Sequence, residues 1–293
     1  MILEDKISGK TKVICLIGNP VEHSMSPLLH NTISREVGID LAYTAFKVEN
    51  NELSEAVKGL KALNVIGFNV TVPYKKEIMK FLDENSKNAL LVGAVNTVKI
   101  MDGKLYGDNT DADGFLRSYK DETGEGLNAK TVVILGAGGA SRAVAVKAAM
   151  DGASEIHIVN RTLSKASEIA EVINNNIRKC AFIHSSEKTE ALDIVKTADV
   201  IINCTTLGMY PEIDESPLPY GLLNNKQVVC DIIYNPTKTK LLSDAEKAGA
   251  KIMNGLGMLF YQGISAYEIW TGIKIGDDML AEIKEAFING IKL

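Results

Sequence analysis

The chain has 293 residues, 46% of them hydrophobic and 24% charged, enough for two globular domains with separate cores. Its net charge of -5 excludes the basic footprint of a nucleic-acid binder. The four cysteines, Cys15, Cys180, Cys204 and Cys230, lie far apart without CxxC or metal-ligand spacing, which excludes a sequence-local thiolate metal site and points to reduced, mostly buried thiols.

In chain order, apolar runs alternate with amphipathic ones. KVICLIG reads as a strand, SPLLHNTISREVG as a helix, LAYTAFKV as a strand and ELSEAVKGLKAL as a helix. VIGFNVTV follows as a strand, then a short helix near EIMKFLDE, then AVNTVKI with its MDGK turn. A second series opens at TVVILG (strand) and continues through ASRAVAVKAAMDG (helix), EIHIVN (strand) and LSKASEIAEVIN (helix) to the strand-like ADVIINCT and QVVCDII. The alternation predicts an α/β fold with mainly parallel sheets. The chain opens without a signal-peptide pattern, and no uncharged apolar run reaches the roughly 18 residues of a membrane span, so a cytoplasmic protein is expected.

The stretch GFNVTVPYKK, residues 67–76, departs from strand chemistry. Val70 and Val72 alternate with Asn69 and Thr71, yet asparagine is a poor strand former. Pro73 stops the ladder because it has no N–H, and Lys75 follows at once. Lys75 and Lys76 can be solvated charges at a helix start; the amide and hydroxyl before them raise the alternative of a ligand pocket.

VVILGAGGASRA, from Val132, joins an apolar strand to a helix of small residues through a glycine cluster. In a dinucleotide-binding turn, glycines let the backbone approach a pyrophosphate seated on helix N–H groups. Gly136, Gly138 and Gly139 supply them, with Ala137, Ala140 and Ser141 completing the turn; Ser141 stands where the third glycine of GxGxxG is expected. NAD-binding versions place a carboxylate about 20 positions on. Here EIHIVN ends in Asn160, Arg161 and Thr162, with Lys165 one turn later. Two cations and a hydroxyl suit a 2′-phosphate, hence NADP.

Four further segments put small polar groups in loops: GNPVEHSMSP with Ser24 and Ser26, GAVNT with Asn96 inside an otherwise apolar strand, GDNTDADG with Asp111, and GLGMLFYQG with Gln262. Singly, Ser26 reads equally as an N-cap, Asp111 as a capping residue and Asn96 as a turn former. Together they are the groups that hold a small polyhydroxylated ligand.

The combination of SMSP, NVTVPYK, GAVNT, GDNTD, GAGGASR, NRT, YNPTKT and GLGMLFYQG resembles the shikimate dehydrogenase family over essentially the whole chain. The resemblance implies two α/β domains: a substrate domain of residues 1–111 with 255–293, and a Rossmann-like NADP domain of residues 112–254. It implies that Ser24 and Ser26 bind a substrate carboxylate, and that Asn69, Thr71, Asn96, Tyr234 and Gln262 complete the substrate site. Lys75 and Asp111 resemble the catalytic pair. Gly136, Ala137, Gly138, Gly139, Ala140, Ser141, Asn160, Arg161, Thr162, Lys165, Thr205 and Gly255 match the NADP site. Met25 stands where leucine is usual and Thr206 where serine is common.

The implied reaction is reversible NADPH-dependent reduction of 3-dehydroshikimate to shikimate, with Lys75 as the acid and no metal. The implied partner is a small molecule, with neither nucleic acid nor membrane, and the protein a monomer or homodimer. A quinate/shikimate dehydrogenase using NAD would share most of these motifs; a ligand-binding relative without catalysis would not need both Lys75 and Asp111.

Overall fold

The computed structural model describes residues 7–291. The chain forms two compact units, one holding the residues up to Thr110 and from Gln262 onward, the other Asp111–Tyr261.

The first unit is built on β1 (Lys12–Gly18), α1 (Ser26–Val37), β2 (Leu41–Lys47), α2 (Leu53–Ala62) and β3 (Gly67–Val70). A short 3-10 helix (Glu77–Phe81), β4 (Glu84–Asn85), α3 (Lys87–Val92), β5 (Thr97–Met101) and β6 (Lys104–Asp108) follow. Its sheet runs β2-β1-β3-β5-β6-β4. The strands β2, β1 and β3 are parallel, but β5 is antiparallel to both β3 and β6. The sheet is therefore mixed, because the MDGK turn returns the chain as a hairpin where a crossover helix would be needed to keep it parallel. Cys15, Ile17, Phe68, Val70, Val95 and Val98 form its core with α2.

That reversal has a functional consequence. The carboxyl ends of β1 and β3, the amino end of β5 and the carboxyl end of β6 all fall on the same edge of the sheet. Open α/β sheets bind ligands at that edge.

The second unit begins with α4 (Asp111–Thr123), then β7 (Thr131–Leu135), α5 (Gly139–Met150), β8 (Glu155–Asn160), α6 (Leu163–Asn176) and β9 (Ala181–Ser185). It continues with α7 (Thr189–Thr197), β10 (Val200–Asn203), β11 (Val228–Asp231), α8 (Lys240–Lys247) and β12 (Lys251–Met253). Its sheet is parallel throughout, in the order β12-β11-β10-β7-β8-β9. This is the doubly wound order of dinucleotide-binding folds, with the switch point between β7 and β10. Val133, Leu135, Val159, Ile201, Val229 and Leu241 contribute to its core.

The last helices are α9 (Leu256–Thr271) and α10 (Asp277–Gly290). The end of α9 is fastened to the first unit by Trp270, whose Nε1 donates to the Val98 carbonyl at 2.9 Å, and by Lys99, whose Nζ donates to the Ile269 carbonyl at 2.7 Å.

Two local expectations need correction. The strand GFNVTV ends at Val70, so the alternation does not reach Val72, which is 63% exposed. Asn96 lies just before β5 rather than inside a strand.

Candidate functional site

The substrate-side residues of the first unit gather at the shared sheet edge through main-chain hydrogen bonds. Thr71 N donates to the Ile17 carbonyl at 2.9 Å, and Asn19 N donates to the Val72 carbonyl at 2.9 Å. These bonds join the segment leading to Ser24 with the turn that carries Lys75. Val70 N donates to the Asn96 carbonyl at 2.9 Å, and Val95 N to the Lys75 carbonyl at 2.7 Å. The half-buried Lys75 is thus anchored beside the segment that presents Asn96.

Beneath that edge lies a buried polar network. Asn69 Oδ1 accepts from the Tyr43 hydroxyl at 2.7 Å, while Asn69 Nδ2 donates to the Asn96 carbonyl at 2.9 Å and to Thr97 Oγ1 at 3.1 Å. Both amide N–H groups of Asn69 are engaged, so only a carbonyl lone pair remains for a ligand. Asn96 Oδ1 accepts from Thr110 N at 2.8 Å and from the Thr97 hydroxyl at 3.0 Å, and its Nδ2 donates to Thr110 Oγ1 at 3.1 Å. A fully satisfied network of this kind fixes its members in one arrangement.

Ser26 is the first residue of α1, with Met25 in the cap position, so it is not an N-cap. Its N–H donates to Ser24 Oγ at 3.2 Å, leaving the Ser24 O–H free to act as a donor. Thr71 is half-buried just past β3, and Gln262 is buried in the α9 segment of this unit. His30 stacks on Tyr43 with ring centroids 4.3 Å apart, and burial pushes its pKa down to about 3.

Asp111 is the residue at which the chain leaves the first unit. It opens α4, with Asp113 in the same turn, where the helix dipole favours carboxylates.

The cofactor-side residues of the second unit lie at the carboxyl ends of β7, β8, β10 and β12, with Tyr234 after β11. Gly136 takes φ +103°, a left-handed conformation that a side chain would strain, and a Cβ there would lie 3.1 Å from Thr205 Cγ2. A Cβ on Gly138 or Gly139 would meet no atom within 4 Å, so a ligand can approach the backbone at the start of α5. Ser141 is buried, and its Oγ accepts from Gly138 N at 3.1 Å. The serine in the third glycine position therefore braces the turn from behind. Ala137 and Ala140 flank it.

At the end of β8, Asn160 Nδ2 donates to the Thr162 carbonyl at 2.8 Å, and Arg161, Thr162 and Lys165 are exposed. The first turn of α6 carries no acid. Cations at a helix N-terminus are electrostatically misplaced unless an anion joins them. This arrangement suits a phosphate group.

Thr205 Oγ1 donates to Asn203 Oδ1 at 2.7 Å. Gly255 is required by close approach: a Cβ there would lie 2.0 Å from the Ile232 carbonyl oxygen. Tyr234 is partly buried, which pushes its phenol pKa up.

Three family models match the chain: the shikimate dehydrogenase substrate binding domain over residues 16–98, shikimate / quinate 5-dehydrogenase over 119–212, and the shikimate 5'-dehydrogenase C-terminal domain over 255–276. The chain is 47% identical to the shikimate dehydrogenase (NADP(+)) of Methanocaldococcus jannaschii, over 97% of this chain and 99% of that one. The chain belongs to the shikimate dehydrogenase family. A crystal structure of shikimate dehydrogenase in complex with NADP+ superposes with a TM-score of 0.90 at 45% identity, covering 98% of both chains. Shikimate 5-dehydrogenase from Listeria monocytogenes, in complex with shikimate and NAD, superposes with a TM-score of 0.89 at 41% identity, covering 95% of this chain and 98% of that one.

Sequence reasoning did not single out Tyr43 and Thr97, which hold the Asn69 amide, or His30, which stacks on Tyr43, nor Asn203 and Asp231 beneath Thr205. Tyr43 reads as one more residue of an alternating strand, and its partner Asn69 is 26 positions away. Among the described residues, no group of three or more histidine, cysteine or acidic side chains could hold a metal. No helix there is long and apolar enough to cross a membrane.

Proposed function

We propose that this chain catalyses the reversible NADPH-dependent reduction of 3-dehydroshikimate to shikimate. Residues 1–111 with 255–293 are assigned to substrate, and residues 112–254 to NADP. The observation that carries the reading is the polar edge of the first sheet, where main-chain hydrogen bonds hold Lys75 to Val95, Asn96 to Val70 and Thr71 to Ile17, and the Asn69 side chain donates to the Asn96 carbonyl. Membership of the shikimate dehydrogenase family supports it. The free cysteines fit a reducing, cytoplasmic setting.

In this reading Ser24 and Ser26 donate to the substrate carboxylate, and Thr71, Asn96, Tyr234 and Gln262 bind the remaining polar groups. When bound, NADPH supplies the hydride, and the glycine turn with Asn160, Arg161, Thr162 and Lys165 would hold its phosphates. Lys75 stabilises the negative charge that develops on the ketone oxygen and donates its proton there; in the reverse direction it accepts that proton. Asp111 accepts a hydrogen bond from a neighbouring substrate hydroxyl. Incubation of the purified protein with NADPH and 3-dehydroshikimate should yield shikimate, one molecule per NADPH oxidised. Oxidation without shikimate, or no oxidation, would overturn the proposal.

A further inference from the structure

Asp231 ends β11 almost completely buried, and the proposed reaction gives it no role. Burial raises its pKa, opposed by the hydrogen bonds it accepts from Thr239, Ile233 and Asn203. Its Oδ1 accepts from Asn203 Nδ2 at 3.1 Å and from Ile233 N at 3.0 Å, while its Oδ2 accepts from the Thr239 hydroxyl at 2.7 Å. No ion pair to it occurs among the described residues. A buried carboxylate held only by neutral donors is costly relative to an apolar side chain of similar size.

What those donors hold is specific. Asn203, fixed through its Nδ2, uses its Oδ1 to accept from both Thr205 N at 3.0 Å and the Thr205 hydroxyl at 2.7 Å. Thr205 Oγ1 in turn accepts from Leu207 N at 3.2 Å. This sets the turn after β10 against Gly136, where Thr205 stands in the space a side chain would need. On the other side, the Ile233 carbonyl accepts from Gly255 N at 3.0 Å. Thr239 caps α8, and Asn254 Nδ2 donates to the Thr237 carbonyl at 2.9 Å. One carboxylate at the end of β11 therefore anchors both the segment carrying Thr205, which follows the neighbouring β10, and the segment carrying Gly255, which follows β12 on the other side.

We infer that Asp231 is a positioning residue for cofactor binding: its carboxylate holds the Thr205 and Gly255 segments in register with the glycine turn. The inference rests on the proposed NADP site. It is tested by titrating the intact enzyme separately with NADP+ and with shikimate. Asp231→Ala should raise the NADP+ Kd about tenfold or more, and the shikimate Kd less than about threefold. Asp231→Asn keeps the shape and can turn its amide toward the Thr239 oxygen, so its NADP+ Kd should stay within about threefold of wild type. A folded Asp231→Ala enzyme with wild-type NADP+ affinity would overturn the inference, as would equal losses for both ligands. Should that variant not fold, Thr239→Val should weaken NADP+ binding while Thr239→Ser does not; identical affinities in that pair would also overturn it. Wild-type enzyme that fails to bind NADP+ would instead overturn the functional proposal.

Discussion

Acidification should loosen the floor of the substrate-side network through His30. Its ring is fully buried and stacked on Tyr43, and neither nitrogen meets a hydrogen-bond partner with good geometry among the described residues. Burial lowers its pKa from 6.5 to about 3. As pH falls below the unfolded value, the unfolded chain takes up a proton that the folded chain refuses, so stability declines until the folded value is reached. Between about pH 7 and about pH 5 this group alone should cost about 2 kcal/mol. His30→Leu removes the titration and fills a comparable volume without buried nitrogens, so its stability near neutrality should stay within about 1.5 kcal/mol of wild type. Urea unfolding of both proteins at the two pH values separates the terms. The wild type should lose about 2 kcal/mol more than the variant on acidification. Parallel losses would show that His30 is protonated in the folded protein and refute the reasoning.

Tyr43→Phe leaves Asn69 Oδ1 without its buried donor, which should cost about 1–3 kcal/mol and raise the KM for shikimate, read by urea unfolding and steady-state kinetics. Lys75→Met should lower kcat about 10²–10⁴-fold with a far smaller change in shikimate affinity; near-normal turnover would return the lysine to a solvated role. Arg161→Ala should raise the KM for NADP strongly and hardly touch that for NAD, and equal losses with both cofactors would contradict the 2′-phosphate assignment.

The cofactor-side elements were legible because their signals are local. A glycine cluster between an apolar strand and a helix, and cations where a carboxylate is expected, are each readable within a dozen residues. The order of the strands was not, because it depends on pairings such as Leu135 with Asn203, far apart in sequence. The antiparallel direction of β5 was not legible for the same reason: GAVNTVKI has the composition of a strand but says nothing of its direction. Ser141 shows the limit of motif matching, since it departs from the glycine pattern and is accommodated by a hydrogen bond to Gly138 N. Asn69 was readable as an anomaly in a strand, but its engagement with Tyr43, Asn96 and Thr97 appears only once three strands meet. Asp231 gave no sequence signal, because a lone aspartate at a strand end is ordinary turn chemistry.

The most direct measurement is the initial rate of nicotinamide reduction by the wild-type protein with each pairing of shikimate or quinate with NADP+ or NAD+. The kcat/KM should be highest for shikimate with NADP+, with the preference over NAD+ lost in Arg161→Ala. A higher kcat/KM for quinate with NAD+ would contradict it.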